Sequence, residues 1–128
     1  MQRTNRNCTL FISDSTNSSK SAEDNNEELL VVLSGEIDHH SAVWVRSEID
    51  ARILKDKPKK TVIDLSGISF MDSSGIGLIM GRHVRMQELG GKLSVREPNE
   101  RIVKIFELAG LTRIVSIERD GKKRRGRV

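Results

Sequence analysis

The stretch TVIDLSGISFMDSSGIG, residues 61–77, contains the transition that decides the fold. Residues 61–65 are β-branched and apolar and predict a strand, which Gly67 interrupts before a second apolar piece. A helix is predicted to follow at about 74–89. Its inward side is expected at the spacing of one helical face, at Ile76, Ile79, Met80 and Val84. The stretch therefore predicts a strand, a loop and a helix in succession, the repeating unit of an α/β protein.

The chain before this stretch has the same order of elements. Residues 29–33 are continuously apolar and predict a buried strand, and residues 7–13 predict an earlier one in which Cys8 is a small buried side chain. Ser41 is a candidate N-cap for a helix that Pro58 closes. The inward side of this helix is expected at Ala42, Val45, Ile49 and Ile53. The first two strands can pair antiparallel because no helix separates them.

The chain after the stretch completes the pattern. Gly90-Gly91 suits a left-handed helix exit, residues 92–95 predict a strand, and residues 114–117 predict the last one. Pro98 suits the first turn of a third helix that ends at Gly110. The inward side of this helix is expected at Ile102, Ile105, Phe106 and Ala109. We therefore predict an α/β domain with a mixed, mostly parallel sheet of four to five strands and about three main helices, because helical crossovers join parallel strands.

Length and composition predict one soluble domain. A chain of 128 residues suits a single core, which we place at residues 1–120. Residues 14–28 are rich in serine, asparagine and acidic residues and are expected to form a flexible connection between the first two strands. No apolar run approaches the ~20 residues that span a bilayer, so no membrane association is expected. The single cysteine and the lack of a secretory signal indicate a cytoplasmic protein.

The charge of the chain is concentrated at its end. The formal net charge is +4, but the five basic residues within 121–128 leave 17 basic and 18 acidic residues elsewhere. A nucleic-acid-binding domain usually carries its positive charge on one face, with aromatic side chains for stacking, and this chain has one Trp and three Phe. No direct contact with nucleic acid is expected, and residues 121–128 are interpreted as a disordered basic tail.

Two polar segments follow predicted strands and carry the candidate functional residues. They are residues 35–40, GEIDHH, and residues 70–75, FMDSSG. If the two strands are parallel neighbours, both segments emerge at the carboxyl end of the sheet and form one surface. A phosphate on Ser73 would be tolerated there, because a helix N-terminus favours negative charge. Spacing alone favours the simpler interpretation, in which Ser73 or Ser74 is only an N-cap and Asp72 assists.

Catalysis, metals and cofactors are not expected. Adjacent histidines such as His39 and His40 do not converge on one point, and no further Cys or His follows at metal spacing. The segment Asp72-Ser73-Ser74-Gly75 also differs from the Gly-x-Ser-x-Gly turn of serine hydrolases. A hydrolase that uses Ser73 stays as the remote alternative.

The run from Gly35 to about Ile117 resembles the anti-anti-sigma factors, the anti-sigma factor antagonists built on a STAS domain. The matching residues are Gly35-Glu36-Ile37-Asp38, Asp64-Leu65-Ser66, Phe70-Met71-Asp72-Ser73-Ser74-Gly75-Ile76-Gly77, Gly90-Gly91 and Phe106-Glu107-Leu108-Ala109-Gly110-Leu111. In that family the serine after the aspartate of the Asp-Ser-Ser/Thr-Gly turn accepts a phosphoryl group. The resemblance therefore implies that Ser73 is the phosphorylation site.

The resemblance also implies partners. Unphosphorylated protein would bind an anti-sigma factor that is also a serine kinase, which frees a sigma factor for transcription, and a serine phosphatase would reset the switch. The expected partner-binding residues are Glu36, Asp38, His39, His40, Met71, Asp72, Ser74 and Gly75. The nearer alternative is a STAS module that senses a ligand or belongs to another signalling complex without acting on a sigma factor.

Overall fold

Six strands, each hydrogen-bonded to the next in chain order, form one mixed sheet in the computed structural model, which describes residues 2–5, 7–14 and 28–119. The strands are β1 (Gln2–Asn5), β2 (Cys8–Asp14), β3 (Glu28–Ile37), β4 (Lys60–Met71), β5 (Lys92–Arg96) and β6 (Ser116–Glu118). The helices are α1 (His39–Asp56), α2 (Ser73–Glu88) and α3 (Glu100–Leu108), and a short 3-10 helix spans Leu111–Arg113. The predicted α/β class is confirmed.

The strand directions place the helices on one side of the sheet. The pairs β1–β2 and β2–β3 are antiparallel, whereas β3 to β6 are all parallel. Each parallel pair is joined by one helix, and right-handed crossovers to successive neighbours put all three helices on the same face. Burial agrees with this arrangement: Leu29, Val31 and Leu33 of β3 have no exposed area, while the alternate residues Leu30 and Val32 are half-buried.

The core lies between that face and the helices. All four residues predicted for the inward side of α1 are buried there, and so are Ile102 and Phe106 of α3. Cys8 is buried with 1% of its surface exposed. Gly90 and Gly110 have φ angles of 81° and 77°, which confirms their left-handed role at helix ends.

The prediction of four to five strands is one or two short of the six strands found in the described residues. β1 is polar and largely exposed, so its four residues lack the apolar alternation by which a strand is detected. The last strand is also shorter than predicted, because Leu111–Arg113 form the 3-10 helix and Ile114 a turn before Ser116.

Gly67 does not interrupt its strand. β4 continues through it, with register shifts against β3 on both sides of the Ser34–Gly67 pair. A Cβ atom at Gly67 would lie 2.8 Å from the Cβ of Ser34, so the glycine allows the two strands to approach closely.

The inward face of α2 is rotated relative to the prediction. Val84 is 46% exposed, whereas Arg82 is buried and its Nε lies 2.8 Å from Asp50 Oδ1 of α1. Hydrophobic periodicity assigns an arginine to solvent, so it could not reveal that an ion pair places this side chain between the helices. The buried residues of α2 are Gly75, Leu78, Ile79, Arg82 and Met86, while Ile76 and Met80 pack partly buried against the core.

The third helix begins later than Pro98 predicts. Asn99 is its N-cap, and the Asn99 side chain accepts a 2.8 Å hydrogen bond from the Ile102 amide. Ala109, predicted to face inward, is exposed at the helix end.

Two predicted segments fall outside the described residues: the inner part of the connection, residues 15–27, and the basic tail, residues 121–128. Asp14 and Glu28, the ends of the predicted connection, are the last residue of β2 and the first residue of β3. Within the three described ranges, no helix has both the length and the apolar character needed to cross a bilayer.

Candidate functional site

Two strand-to-helix junctions lie side by side at the carboxyl end of the sheet. β3 and β4 are parallel neighbours, and Ile37 pairs with Met71 as their last register pair. The Asp72 amide donates a 3.1 Å hydrogen bond to the Ile37 carbonyl, which ties the second junction to the first. The expectation that both polar segments emerge at the same end of the sheet is confirmed.

The first junction is a closed capping box. Asp38 is the N-cap of α1, and its side chain accepts a 2.9 Å bond from the Ser41 amide. The Ser41 hydroxyl accepts a 2.9 Å bond from the Asp38 amide in return, and this serine is only 3% exposed. The prediction that Ser41 itself caps the helix is wrong by three positions, because the aspartate supplies a stronger acceptor. The segment 35–40 is also less of a loop than predicted, since Gly35–Ile37 belong to β3 and His39–His40 to α1.

Hydrogen bonds at this junction favour the ionised form of Asp38. The bond from the Ser41 amide, then the bond from the Ser41 hydroxyl, lower the Asp38 pKa below its ordinary value, and the charge of His40 adds to the shift. Burial, followed by the nearby Asp38 charge, raises the pKa of the Cys8 thiol to about 11. The interpretation of Cys8 as a buried, unreactive residue fits this shift, because the thiolate is the reactive form.

The second junction is capped but not closed. Asp72 is the N-cap of α2, and its side chain accepts a 2.8 Å bond from the Ser74 amide. Gly75 occupies the position that Ser41 holds in α1, and it has no side chain to return a bond to Asp72. Its amide donates to the Asp72 carbonyl at 2.9 Å.

Ser73, the first residue of α2, is exposed, and its hydroxyl has no hydrogen-bond partner among the described residues. Ser74, the next residue, is half-buried. The N-cap is therefore Asp72, and neither serine fills the capping role that spacing alone allowed. The geometry leaves the Ser73 hydroxyl as the accessible nucleophile at a helix start, where backbone amides and the helix dipole favour an added anion.

Met71 and Gly75 lie beneath the junction. Met71 is 3% exposed and Gly75 is buried, so neither presents a side chain to a partner, although both were predicted partner-binding positions. A Cβ atom at Gly75 would come within 2.2 Å of Met71 Cγ. The two residues form a packed floor under Asp72 and Ser73.

Glu36 is separated from the other candidates. It is exposed, whereas the next residue, Ile37, is fully buried in the core beneath α1, so the two side chains point to opposite faces of the sheet. Its register partner is Phe70, whose side chain is 44% exposed. Phe70 was not predicted to be a surface residue. The signal that could have identified it is its alternation with Met71, the next residue, which is buried.

The histidines lie on the first turn of α1, and both are exposed. Their ring centroids are 6.0 Å apart with the planes at 62°, an edge-to-face contact. His39 also lines a groove of about 220 Å³ between α1 and α2, and Ser74 lies on its opposite wall.

The groove adds residues that sequence analysis missed. Arg46 and Val43 come from α1, and Gly77 comes from α2. Val43 is 46% exposed, and a Cβ atom at Gly77 would meet nothing within 4 Å. The signal for Val43 was its position outside the inward stripe of α1, which marks an apolar residue without a core role.

Comparison with known proteins gives concordant matches. The family model of the STAS domain matches residues 19–123. The anti-sigma F factor antagonist of Paenibacillus polymyxa is 37% identical over 89 residues, which cover 70% of this chain and 76% of that protein. The anti-sigma-B factor antagonist of Bacillus subtilis is 31% identical over 93 residues, covering 73% of this chain and 84% of that protein.

The fold also matches a solved structure. The anti-sigma factor antagonist SpoIIAA in its unphosphorylated form superposes with a TM-score of 0.71 at 25% identity, covering 91% of this chain and 96% of that chain. The residues matched by the STAS model include both strand-to-helix junctions.

Proposed function

Because this chain belongs to the STAS domain family, and within it to the anti-sigma factor antagonists, we propose that it is a phosphorylation-controlled switch. The unphosphorylated protein binds an anti-sigma factor that is also a serine kinase, in the cytoplasm, and so releases a sigma factor for transcription. Phosphorylation of Ser73 ends the interaction, and a serine phosphatase restores it. The chain acts by binding and catalyses no reaction.

The observation that carries this proposal is the exposed hydroxyl of Ser73, which has no hydrogen-bond partner within residues 2–5, 7–14 and 28–119. A kinase must reach its acceptor hydroxyl, and Ser74 is half-buried beside it while Ser41 is buried in the capping box. A hydrolase nucleophile, by contrast, would be hydrogen-bonded to a base. The relative SpoIIAA has a structure specified as unphosphorylated, which supports phosphorylation as the mode of control.

The added phosphate would act at the interface and leave the domain folded. It brings about −1.5 to −2 charges to the first turn of α2, where the helix dipole tolerates them. The same charges stand next to the carboxylate of Asp72. One of them facing a partner carboxylate at 4 Å costs about 4 kcal/mol at an effective dielectric near 20, before salt screening. Since about 1.4 kcal/mol is tenfold in affinity, even a screened clash releases the partner.

The proposed partner-binding surface surrounds Ser73. Its exposed members are His39 and His40, and its half-buried members are Asp38, Asp72 and Ser74. The groove between α1 and α2 continues this surface with Val43 and Arg46, and Glu36 lies beyond its rim on the other face of the sheet. Met71 and Gly75 support the surface from below through their packing.

A phosphorylation assay tests the acceptor. The purified protein is incubated with ATP and the candidate anti-sigma kinases of its own organism, and intact mass and peptide mapping are recorded. We expect one added phosphoryl group, lost in Ser73→Ala and retained in the matched control Ser74→Ala. Phosphorylation that persists in Ser73→Ala would assign another acceptor. No phosphorylation by any of these kinases would favour a STAS sensor module instead.

A binding assay tests the switch. We expect Ser73→Ala to bind the kinase like the wild type but to remain bound after ATP is added, and Ser73→Asp to bind at least about tenfold more weakly. Hydrogen exchange should stay unchanged outside residues 70–78 after phosphorylation. Equal affinities for the three proteins, or a broad loss of protection, would contradict the interface mechanism.

A further inference from the structure

A second concave site lies at the end of α2 opposite to Ser73. It is a pocket of about 470 Å³ between the last turns of α2 and strands β4, β5 and β6. Among the α2 residues that line the pocket, His83 is the one nearest to Ser73. It follows Ser73 by ten residues, so about 15 Å of helix separates the two sites. Pockets of roughly 300–1,000 Å³ are the size that small-molecule ligands occupy.

The shortness of β6 creates this pocket. The pairing of β5 with β6 covers only Ser94–Arg96, so no strand of the described residues lies beside Lys92 and Leu93 on that side. The chain before β6 turns away at Ile114, which lines the pocket and is 45% exposed. Leu93 and Ile114 give the site an apolar wall.

The charged lining favours an anion. Glu118 is the acidic residue of the lining. Its carboxylate accepts hydrogen bonds from the Lys60 ammonium group at 2.7 Å and from the Ser94 hydroxyl at 2.9 Å. Arg96, outside the lining, lies 3.6 Å from the same carboxylate. Lys92 has no ion-pair partner within the described part of the chain, so its ammonium group is available to a ligand.

The polar lining also contains unused hydrogen-bonding groups. His83 and Gln87 are four residues apart and project from the same face of α2 into the lining. The Nδ1 atom of His83 is shielded from solvent and has no hydrogen-bond partner among the described residues. Buried polar atoms of folded proteins are normally satisfied, and the described residues leave this nitrogen unsatisfied in a side chain that lines the pocket.

We propose that this pocket binds a small organic anion, with its carboxylate or phosphate group at Lys92, His83 and Gln87 and its apolar part against Leu93 and Ile114. The site is separate from the phosphorylation surface, and the proposal does not depend on Ser73. It assigns to the distal end of α2 the role of a ligand-binding element.

A nuclear magnetic resonance titration of the full-length, unphosphorylated protein tests this site. Phenyl phosphate and benzoate serve as anionic probes, and benzyl alcohol serves as the uncharged probe. We expect saturable shifts of the amide signals of His83, Gln87 and Lys92 with one or both anions and weaker shifts with the alcohol. The two anions distinguish a phosphate ligand from a carboxylate ligand.

Two variants and a control test which residues of the pocket contribute to anion affinity. Lys92→Gln is expected to weaken anion binding about tenfold, the effect of one charge-assisted hydrogen bond. Ile114→Glu should abolish binding by placing a carboxylate at the apolar wall. Both positions are exposed, so the fold is retained, and Lys104→Gln on the exposed side of α3 should bind like the wild type.

Three results would overturn the proposal. The first is the absence of saturable shifts at the pocket. Shifts confined to Ser73–Gly75 count as this result, because they would mark the α2 N-terminus as the only anion site. The second is equal shifts with benzyl alcohol. The third is unchanged affinity in Lys92→Gln.

Discussion

The two strand-to-helix junctions have the same design and opposite accessibility. Each starts with an aspartate N-cap, Asp38 or Asp72, directly after a buried residue of a parallel strand. At the third helical position α1 has Ser41 and α2 has Gly75. The serine closes the first junction with reciprocal hydrogen bonds, whereas the glycine admits the Met71 side chain beneath the second.

This difference shows how one fold can contain a structural serine and an exposed serine at two adjacent strand-to-helix junctions. The hydroxyl of Ser41 is used by the protein: it accepts from the Asp38 amide and also lies 3.0 Å from Asp38 Oδ1. The hydroxyl of Ser73 sits at the first helical position, which points to solvent. Position within the first turn, more than residue type, therefore decides which of the two serines is exposed.

Exchange of Gly75, the third helical residue of α2, should have the largest effect on the free energy of unfolding. Gly75→Ser is expected to destabilise the protein by about 2–3 kcal/mol, because the new Cβ atom would overlap the buried Met71 side chain. Urea unfolding monitored by circular dichroism measures the change.

Gly77→Ala is the matched control on the same helix. It should stabilise the protein by about 0.5–1 kcal/mol, because its Cβ atom meets nothing within 4 Å and alanine favours helix. Equal effects at Gly75 and Gly77 would show that Met71 does not restrict the second junction.

Removal of the two serine hydroxyls should give a smaller and asymmetric effect. Ser41→Ala is expected to cost about 1–2 kcal/mol of unfolding free energy, because the Asp38 amide loses its partner in a buried setting. Ser73→Ala should change stability by less than about 0.5 kcal/mol, because its exposed hydroxyl has no partner among the described residues. Chemical denaturation of both variants makes the comparison, and a larger loss in Ser73→Ala would reverse our assignment of the two roles.

Of the changes considered, acid should have the smallest effect on the free energy of unfolding, and it should act through the first junction. The folded pKa of Asp38 lies below its unfolded value near 4, so its ionised form adds stability at neutral pH that is lost as pH falls through the folded pKa. Asp38→Asn keeps a capping oxygen without the charge. The stability gap between wild type and Asp38→Asn should therefore shrink below about pH 4, as followed by urea unfolding from about pH 7 to about pH 2.5.

A control variant away from the junction makes this test specific. Lys104→Gln on α3 should keep a gap to the wild type that does not follow the Asp38 titration. A constant gap for Asp38→Asn over the whole pH range would contradict the role of the charge.

Most of the fold followed from patterns that are local in the chain. The inward face of α1, the left-handed glycines at 90 and 110 and the order of strands and helices were all predictable, because periodicity and turn chemistry depend on neighbouring residues. The parallel order then brought both candidate segments to one end of the sheet. β1 escaped prediction because an exposed polar edge strand has no such pattern.

The site was only partly predictable. Sequence analysis selected Asp72, Ser73 and Ser74 as a group, but it allowed either serine to be the N-cap, because Ser and Asp are both good capping residues. It also counted Met71 and Gly75 as partner-binding positions. Their burial depends on how α2 packs on β4, which a linear pattern does not contain.

The sequence by itself determined the α/β class, the succession of elements and the segment that carries the exposed serine, since these depend on hydrophobic spacing and on residues with strong local preferences. The tertiary structure alone decided that Asp38 and Asp72 cap the helices and that Arg82 is buried against Asp50. It also decided that the Ser41 hydroxyl is hydrogen-bonded within the capping box while the Ser73 hydroxyl is exposed. The physical reason is that exposure and hydrogen-bond partnership are properties of pairs of elements. They arise only when strands and helices distant along the chain come into contact.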